Sequence, residues 1–253
     1  MIGRFAVALT LGAATVAAQT EGPVISTGPL LHMVSDLDRS IAFYHDQLGF
    51  EFARPVGDLK FADNPAVANL YGVPGKQFRV AILKIPGSSL NLELPEWRDA
   101  RPLSDAGWAA LTLSNLKEGS HTEPDGLLIE QGRADTPAAY LSVQAKDVPK
   151  TVALYSNVFG FKADGNWLSL PGEALRIQIV SKLPGNAAQA APSHAMLRLR
   201  VRDIDALTAS MKAAGFSVVT TGGVPVTLPG GPRAIILRDP NNFYWQPMEL
   251  PHP

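Results

Sequence analysis

One stretch of this chain is written twice. Residues 30–50 and 141–161 align without a gap at an offset of 111, with six identities in 21 positions: Leu30/Leu141, Asp36/Asp147, Ala42/Ala153, Tyr44/Tyr155, Gly49/Gly160 and Phe50/Phe161. Leu37/Val148, Arg39/Lys150, Ser40/Thr151 and Ile41/Val152 are similar pairs. Repetition on this scale means one supersecondary unit used more than once. Each copy runs from a short alternating segment through Asp and about three helical turns to Gly-Phe. Leu37, Ile41, Tyr44 and Leu48 recur at i, i+4, i+7 and i+11, as do Val148, Val152, Tyr155 and Phe159, so each set is one apolar face of a helix. Asp36 and Asp147 stand where an N-cap carboxylate takes the free N–H groups of the first turn. Gly49 and Gly160 stand where a helix closes in the left-handed conformation.

A third copy covers 194–216, with Asp203 as cap, Ile204, Leu207 and Met211 as the apolar face, and Gly215-Phe216 as the end. Residues 108–114 read as the first strand of a further copy whose helix is missing or very short, because 115–125 is polar and contains Gly and Pro. Strand-like segments follow each helix, so the order βαβββ occurs four times, the second eroded. The expected fold class is α+β, with repeated βαβββ modules and curved mixed sheets around a cavity. The expected division is 24–135 and 138–250, with linkers at 98–107, 130–137 and 182–192. The N-terminus carries Arg4, an uncharged apolar run over 5–14, and the small residues Val16-Ala17-Ala18 before Gln19. That is the pattern of a secretory signal peptide over 1–18, too short for a membrane span. The expected location is secreted or periplasmic, with no membrane partner after cleavage.

Composition narrows the function. Hydrophobic residues at 46% and charged residues at 18% supply a packed core. A net charge of −1 offers no basic stripe for nucleic acid. The absence of Cys removes disulfides, thiolate metal sites and cysteine nucleophiles.

The string Met33-Val34-Ser35-Asp36-Leu37-Asp38-Arg39-Ser40-Ile41-Ala42-Phe43-Tyr44 with Leu48-Gly49-Phe50 resembles the opening of the vicinal oxygen chelate superfamily, which holds glyoxalase I, bleomycin-resistance proteins and extradiol dioxygenases. Arg238-Asp239-Pro240-Asn241-Asn242-Phe243-Tyr244-Trp245 resembles its closing turn and strand. The resemblance spans about 28–250. It implies paired modules enclosing a cavity, usually with a divalent metal held by His and Glu. It also implies a first-strand ligand eight residues before the residue opening the helix. Counting back from Leu37, Leu116, Val148 and Ile204 gives Pro29, Trp108, Tyr140 and Met196, none a good ligand for a hard ion. The closing-strand ligand, normally Glu, is Glu93, Gln178 and Gln246 in units one, three and four.

Strand alternation assigns the rest. Leu30, Leu141, Leu197 and Leu199 belong to sets facing the helices, and so does His32. The concave set holds Trp108, Tyr140, Gln144, Gln178, Arg198, Arg200, Tyr244 and Gln246, the candidate ligand-binding residues. Glu93 and His194 are the candidate catalytic residues. His32, Glu93 and Glu249 are the candidates for a metal, though no resident cofactor is expected. The expected function is binding of a small organic molecule, with anions among the classes the arginines allow, in a sheet-lined cavity without the usual metal. The alternative is a metal-dependent lyase, isomerase or dioxygenase with a non-standard site. Whether the chain is an enzyme, and whether it is a monomer or homodimer, stays open at this level.

Overall fold

The computed structural model describes residues 22–55, 59–103, 105–114, 116, 119–132, 137–183 and 192–251; the signal expected over 1–18 lies outside the described residues. Unit one comprises β1 (Val24–His32), α1 (Leu37–Ile41), which runs on as a π-helical turn over Ala42–Gln47, β2 (Glu51–Phe52), α2 (Pro65–Leu70), β3 (Phe78–Lys84) and β4 (Asn91–Trp97). Unit two comprises β5 (Ala109–Leu113), β6 (His121–Thr122) and β7 (Leu128–Gln131). Unit three comprises β8 (Ala139–Gln144), α3 (Val148–Phe159), β9 (Lys162–Asp164), β10 (Trp167–Ser169) and β11 (Arg176–Val180). Unit four comprises β12 (Ala195–Val201), α4 (Ile204–Ala213), β13 (Ser217–Val218), β14 (Val226–Thr227), β15 (Arg233–Ala234), β16 (Leu237–Arg238) and β17 (Tyr244–Glu249).

The helix ends obey the local chemistry read from sequence. Asp36, Asp147 and Asp203 accept the backbone N–H of Arg39, Lys150 and Ala206 at 3.1, 3.0 and 2.9 Å. Gly49 and Gly160 lie at φ 74° and 78°, where a Cβ would strain the backbone. Short elements escaped the pattern, α2 and β7 among them. α2 is six residues long and carries little period. β7 is four residues long and lies partly in what reads as a linker, so Glu130 belongs to a strand.

The units do not pair in chain order. Units one and four share one sheet, with the central order β17-β12-β1-β4-β3; units two and three share the other, with the order β7-β5-β8-β11-β10. At each centre two first strands run antiparallel: Leu31 faces Met196 and Ser142 faces Ala110. Helices cover the outer faces. Leu30, Leu92, Leu197, Leu199 and Trp245 join Leu111, Leu141, Val143 and Ile177 in one continuous core. Each such side chain contributes about 1.5–3 kcal/mol by leaving water.

Closing turns tie the units in a second pairing. Tyr155 of α3 donates its hydroxyl to Asp239, which is 3% exposed and also accepts from the N–H groups of Asn241 and Phe243 at 2.7 and 2.9 Å. Burial raises the Asp239 carboxyl above the usual range. The turn of unit two, Glu123-Pro124-Asp125-Gly126, repeats this device against unit one. Glu123 accepts from Ser40 at 2.7 Å and pairs with Nε2 of His32 at 2.7 Å. His32 has no exposed surface, and the Tyr44 hydroxyl beside this turn has no hydrogen-bond partner among the described residues.

Candidate functional site

The first sheet's concave face is filled. Leu31, Met33, Met196 and Tyr244 pack with Leu70, Tyr71, Trp97 and Ile236, so α2 and the residues after it plug this side. One polar cluster sits among them. Arg198 of β12 donates Nη1 and Nη2 to the two oxygens of Glu93, both at 2.9 Å, and Nε to Oε1 of Gln246 at 2.8 Å. The planar fork meets the carboxylate in both bonds, the strongest form of this pair. Gly28 lies under the arginine stem: a Cβ there would stand 3.1 Å from Cβ of Arg198. Tyr71 is buried nearby, and burial raises its phenol, with Glu93 adding to the rise and Arg198 opposing it.

The other first-sheet candidates are spread out. Arg200 is exposed at a position facing Ser26. Tyr244 is buried and donates to the Asp105 carbonyl at 3.1 Å, and burial raises its phenol. Glu249 accepts from Arg233 at 3.3 Å.

The second sheet repeats the design with different side chains. Ladder register fixes the correspondence: Arg198 faces Gln246 on β17 as Thr112 faces Glu130 on β7, and Leu31 faces Glu93 on β4 as Ser142 faces Gln178 on β11. Glu130 and Gln178 therefore stand where Gln246 and Glu93 stand, and Thr112 takes the place of Arg198. The same register puts Ala110, rather than Trp108, opposite Ser142, so counting back from Leu116 misplaced that strand by two residues. Glu130 is 5% exposed, its one hydrogen bond among the described residues is from Ser120 at 3.4 Å, and burial raises its carboxyl. The Thr112 hydroxyl is buried with no hydrogen-bond partner among the described residues. Beside them Tyr140 meets Trp167 edge-on at 4.9 Å, and the Arg176 guanidinium lies 4.7 Å from the Trp167 ring centre. Gln144 accepts from the Leu183 N–H at 3.4 Å, and Trp108 packs near Leu183.

His194 belongs to neither centre. It borders a cavity of about 420 Å³ at the lip of the first sheet, with Met33, Trp97, Arg101 and Asp125. Nδ1 of His194 lies 2.6 Å from the Leu103 carbonyl, an arrangement in which it donates and leaves Nε2 as the free nitrogen. Burial lowers its pKa, and the Leu103 carbonyl opposes the drop. The adjoining loop holds Asp99 and Leu103 at φ 52° and 63°, strained for non-glycine residues.

Sequence reasoning thus gathered into one cavity residues that the fold divides between two sheets and a rim. Glu130 and Thr112 were missed. The signal for them was the likeness of 123–126 to 239–242, which places Glu130 seven residues past Glu123 as Gln246 stands seven past Asp239.

The donor sets fit a divalent ion poorly. On the first sheet the guanidinium already sits against both oxygens of Glu93 and against Gln246, and two like charges cannot share that place. On the second sheet Glu130 is the one carboxylate beside an amide and a hydroxyl. Among the described residues no three His, Asp or Glu side chains gather as a metal group.

Comparisons with known proteins agree with this architecture. Residues 138–246 match the profile of the Glyoxalase/Bleomycin resistance protein/Dioxygenase superfamily, and residues 29–63 match the profile of the bleomycin resistance protein-like N-terminal region. The chain belongs to this superfamily, also called the vicinal oxygen chelate superfamily. Among solved structures, glyoxalase I from Zea mays aligns over 88% of this chain and 92% of its own, with 17% identity and a TM-score of 0.56. A putative dioxygenase from Bacillus subtilis aligns over 90% and 86%, with 14% identity and a TM-score of 0.53. These likenesses show a shared fold. No curated protein matches the sequence.

Proposed function

We propose that this protein is an exported member of the superfamily that binds a small organic molecule without a resident metal, on the concave face of the second sheet. The observation that carries the reading is the Arg198 clamp. It spends the first sheet's closing-strand donors on an internal cation, and α2 covers that face. The second face offers half-buried Trp108, Gln144, Trp167, Arg176 and Gln178 around buried Tyr140, an aromatic and amide lining suited to a flat polar molecule. Each sheet is completed within one chain, so the reading needs no partner subunit. The signal over 1–18 would put the site outside the cytoplasm.

The test is elemental analysis of protein purified without chelator, with a thermal-shift screen of small molecules repeated on Tyr140→Ala. Stoichiometric Mn, Fe, Ni or Zn overturns the reading. Ligands that stabilise the wild type and not the variant support it.

One observation favours an enzyme instead: His194, whose Nε2 has no hydrogen-bond partner among the described residues, borders a cavity large enough for a small substrate. There it would act as a proton acceptor in lyase or isomerase chemistry. Turnover lost in His194→Gln, with a pH profile set by one base, would favour that reading over binding.

A further inference from the structure

The two sheets hold the same pair of side chains, one Glu and one Gln, at equivalent closing-strand positions. In the first sheet the pair is bridged by the guanidinium of Arg198. In the second the bridging position is Thr112, whose short side chain cannot reach across to β11. Glu130 is left as a buried carboxylate without an ion-pair partner among the described residues, and the Thr112 hydroxyl beside it is also buried and unpaired. The carboxylate is the costlier of the two, because burying it is unfavourable unless a donor or cation meets it. Arg176 does not supply it. It lies over the Trp167 ring at 4.7 Å and faces the Asp164 carboxylate at 4.0 Å.

We propose that this face binds an organic cation of the amidinium or guanidinium class between Glu130 and Gln178, where Arg198 stands in the first sheet. The planar N–H fork would give two bonds to Glu130, and the Gln178 carbonyl and Thr112 hydroxyl would accept the remaining hydrogens. A flat body attached to the cation would lie along Tyr140 and Trp167. The half-buried Gln178, Trp167 and Arg176 form the rim by which it enters. This inference rests on the binding reading above and names the chemical class for the same face.

Calorimetry of the full mature chain with benzamidinium and with methylguanidinium tests it. Neutral benzamide and Mn²⁺ serve as comparison probes. Wild type should bind benzamidinium saturably, with benzamide at least tenfold weaker. Glu130→Gln should weaken benzamidinium at least tenfold with an unchanged circular dichroism spectrum. Thr112→Arg should rebuild the first sheet's clamp, raise the melting temperature and remove benzamidinium binding. If Thr112→Arg fails to fold, Glu130→Gln decides alone. Failure of both cations to bind at millimolar concentration overturns the proposal, as does binding indifferent to Glu130. A screened compound that depends on Tyr140 but not on Glu130 overturns it and leaves the binding reading standing. Glu130-dependent binding of Mn²⁺ overturns both.

Discussion

The two concave faces began as the same design and now solve the same electrostatic problem differently. In the first, a carboxylate is drawn into a low-dielectric place and given its cation by the chain itself, with three bonds from one arginine. In the second, a carboxylate standing in the place of Gln246 is buried with one weak donor among the described residues. The first face has become part of the core; the second keeps an unmet demand. A buried charge costs several kcal/mol unless it is paired. The contrast therefore separates a residue set spent inside the fold from one without an internal cation among the described residues.

The comparison can be broken first at its strong end. Arg198→Ala should cost about 2–3 kcal/mol, since it strips half-buried Glu93 of two charge-assisted hydrogen bonds. Urea unfolding measures this, and a loss below about 1 kcal/mol would mean that the clamp does not hold the face together. Combining it with Glu93→Leu should recover much of the loss.

The helix-to-turn junctions offer a parallel contrast. Tyr155→Phe should cost about 1.5–3 kcal/mol, because it strips a donor from buried Asp239. Tyr44→Phe removes a hydroxyl without a hydrogen-bond partner among the described residues and should change stability by less than about 0.5 kcal/mol. Equal effects in thermal unfolding would show the two junctions to be alike.

Gly28→Ala presses a methyl on the Arg198 stem and should cost about 1 kcal/mol. In an Arg198→Ala background the cost should vanish, and a cost that persists would place the strain elsewhere.

The smallest effect is a pH slope. Burial raises the Glu130 carboxyl, so over a range of pH the folded chain holds a proton that the unfolded chain has lost. Its contribution is fully favourable below the usual carboxylate range and declines as pH rises toward the raised value. Urea midpoints of wild type and Glu130→Gln, compared from pH 4 to pH 8, should diverge in that direction. Parallel curves would mean that Glu130 titrates as it does in solution.

Much of the fold was legible because its signals are local. Aspartate caps, left-handed glycines and a 3.6-residue period repeat with the unit, and strand alternation separated Leu30 and Leu197 from Leu31 and Met196 correctly. The pairing of units was not legible, since any first strand carries the same alternation and nothing local selects its partner. The site was half legible for the same reason. Alternation put Arg198, Glu93 and Gln246 on a concave face, but whether a guanidinium faces a ligand or a neighbouring carboxylate depends on register across strands. Glu130 was lost because two- and four-residue strands show too little period to be seen.

The interleaving of units has a consequence for how the chain is made. β1 emerges early in synthesis, yet its antiparallel neighbour β12 comes in the last quarter of the sequence. Until that segment is made, one long edge of the first strand has nothing to zip onto, and closing so wide a loop is slow. The first sheet therefore closes only once the fourth unit has been made, whereas units two and three already hold all they need to pair with each other.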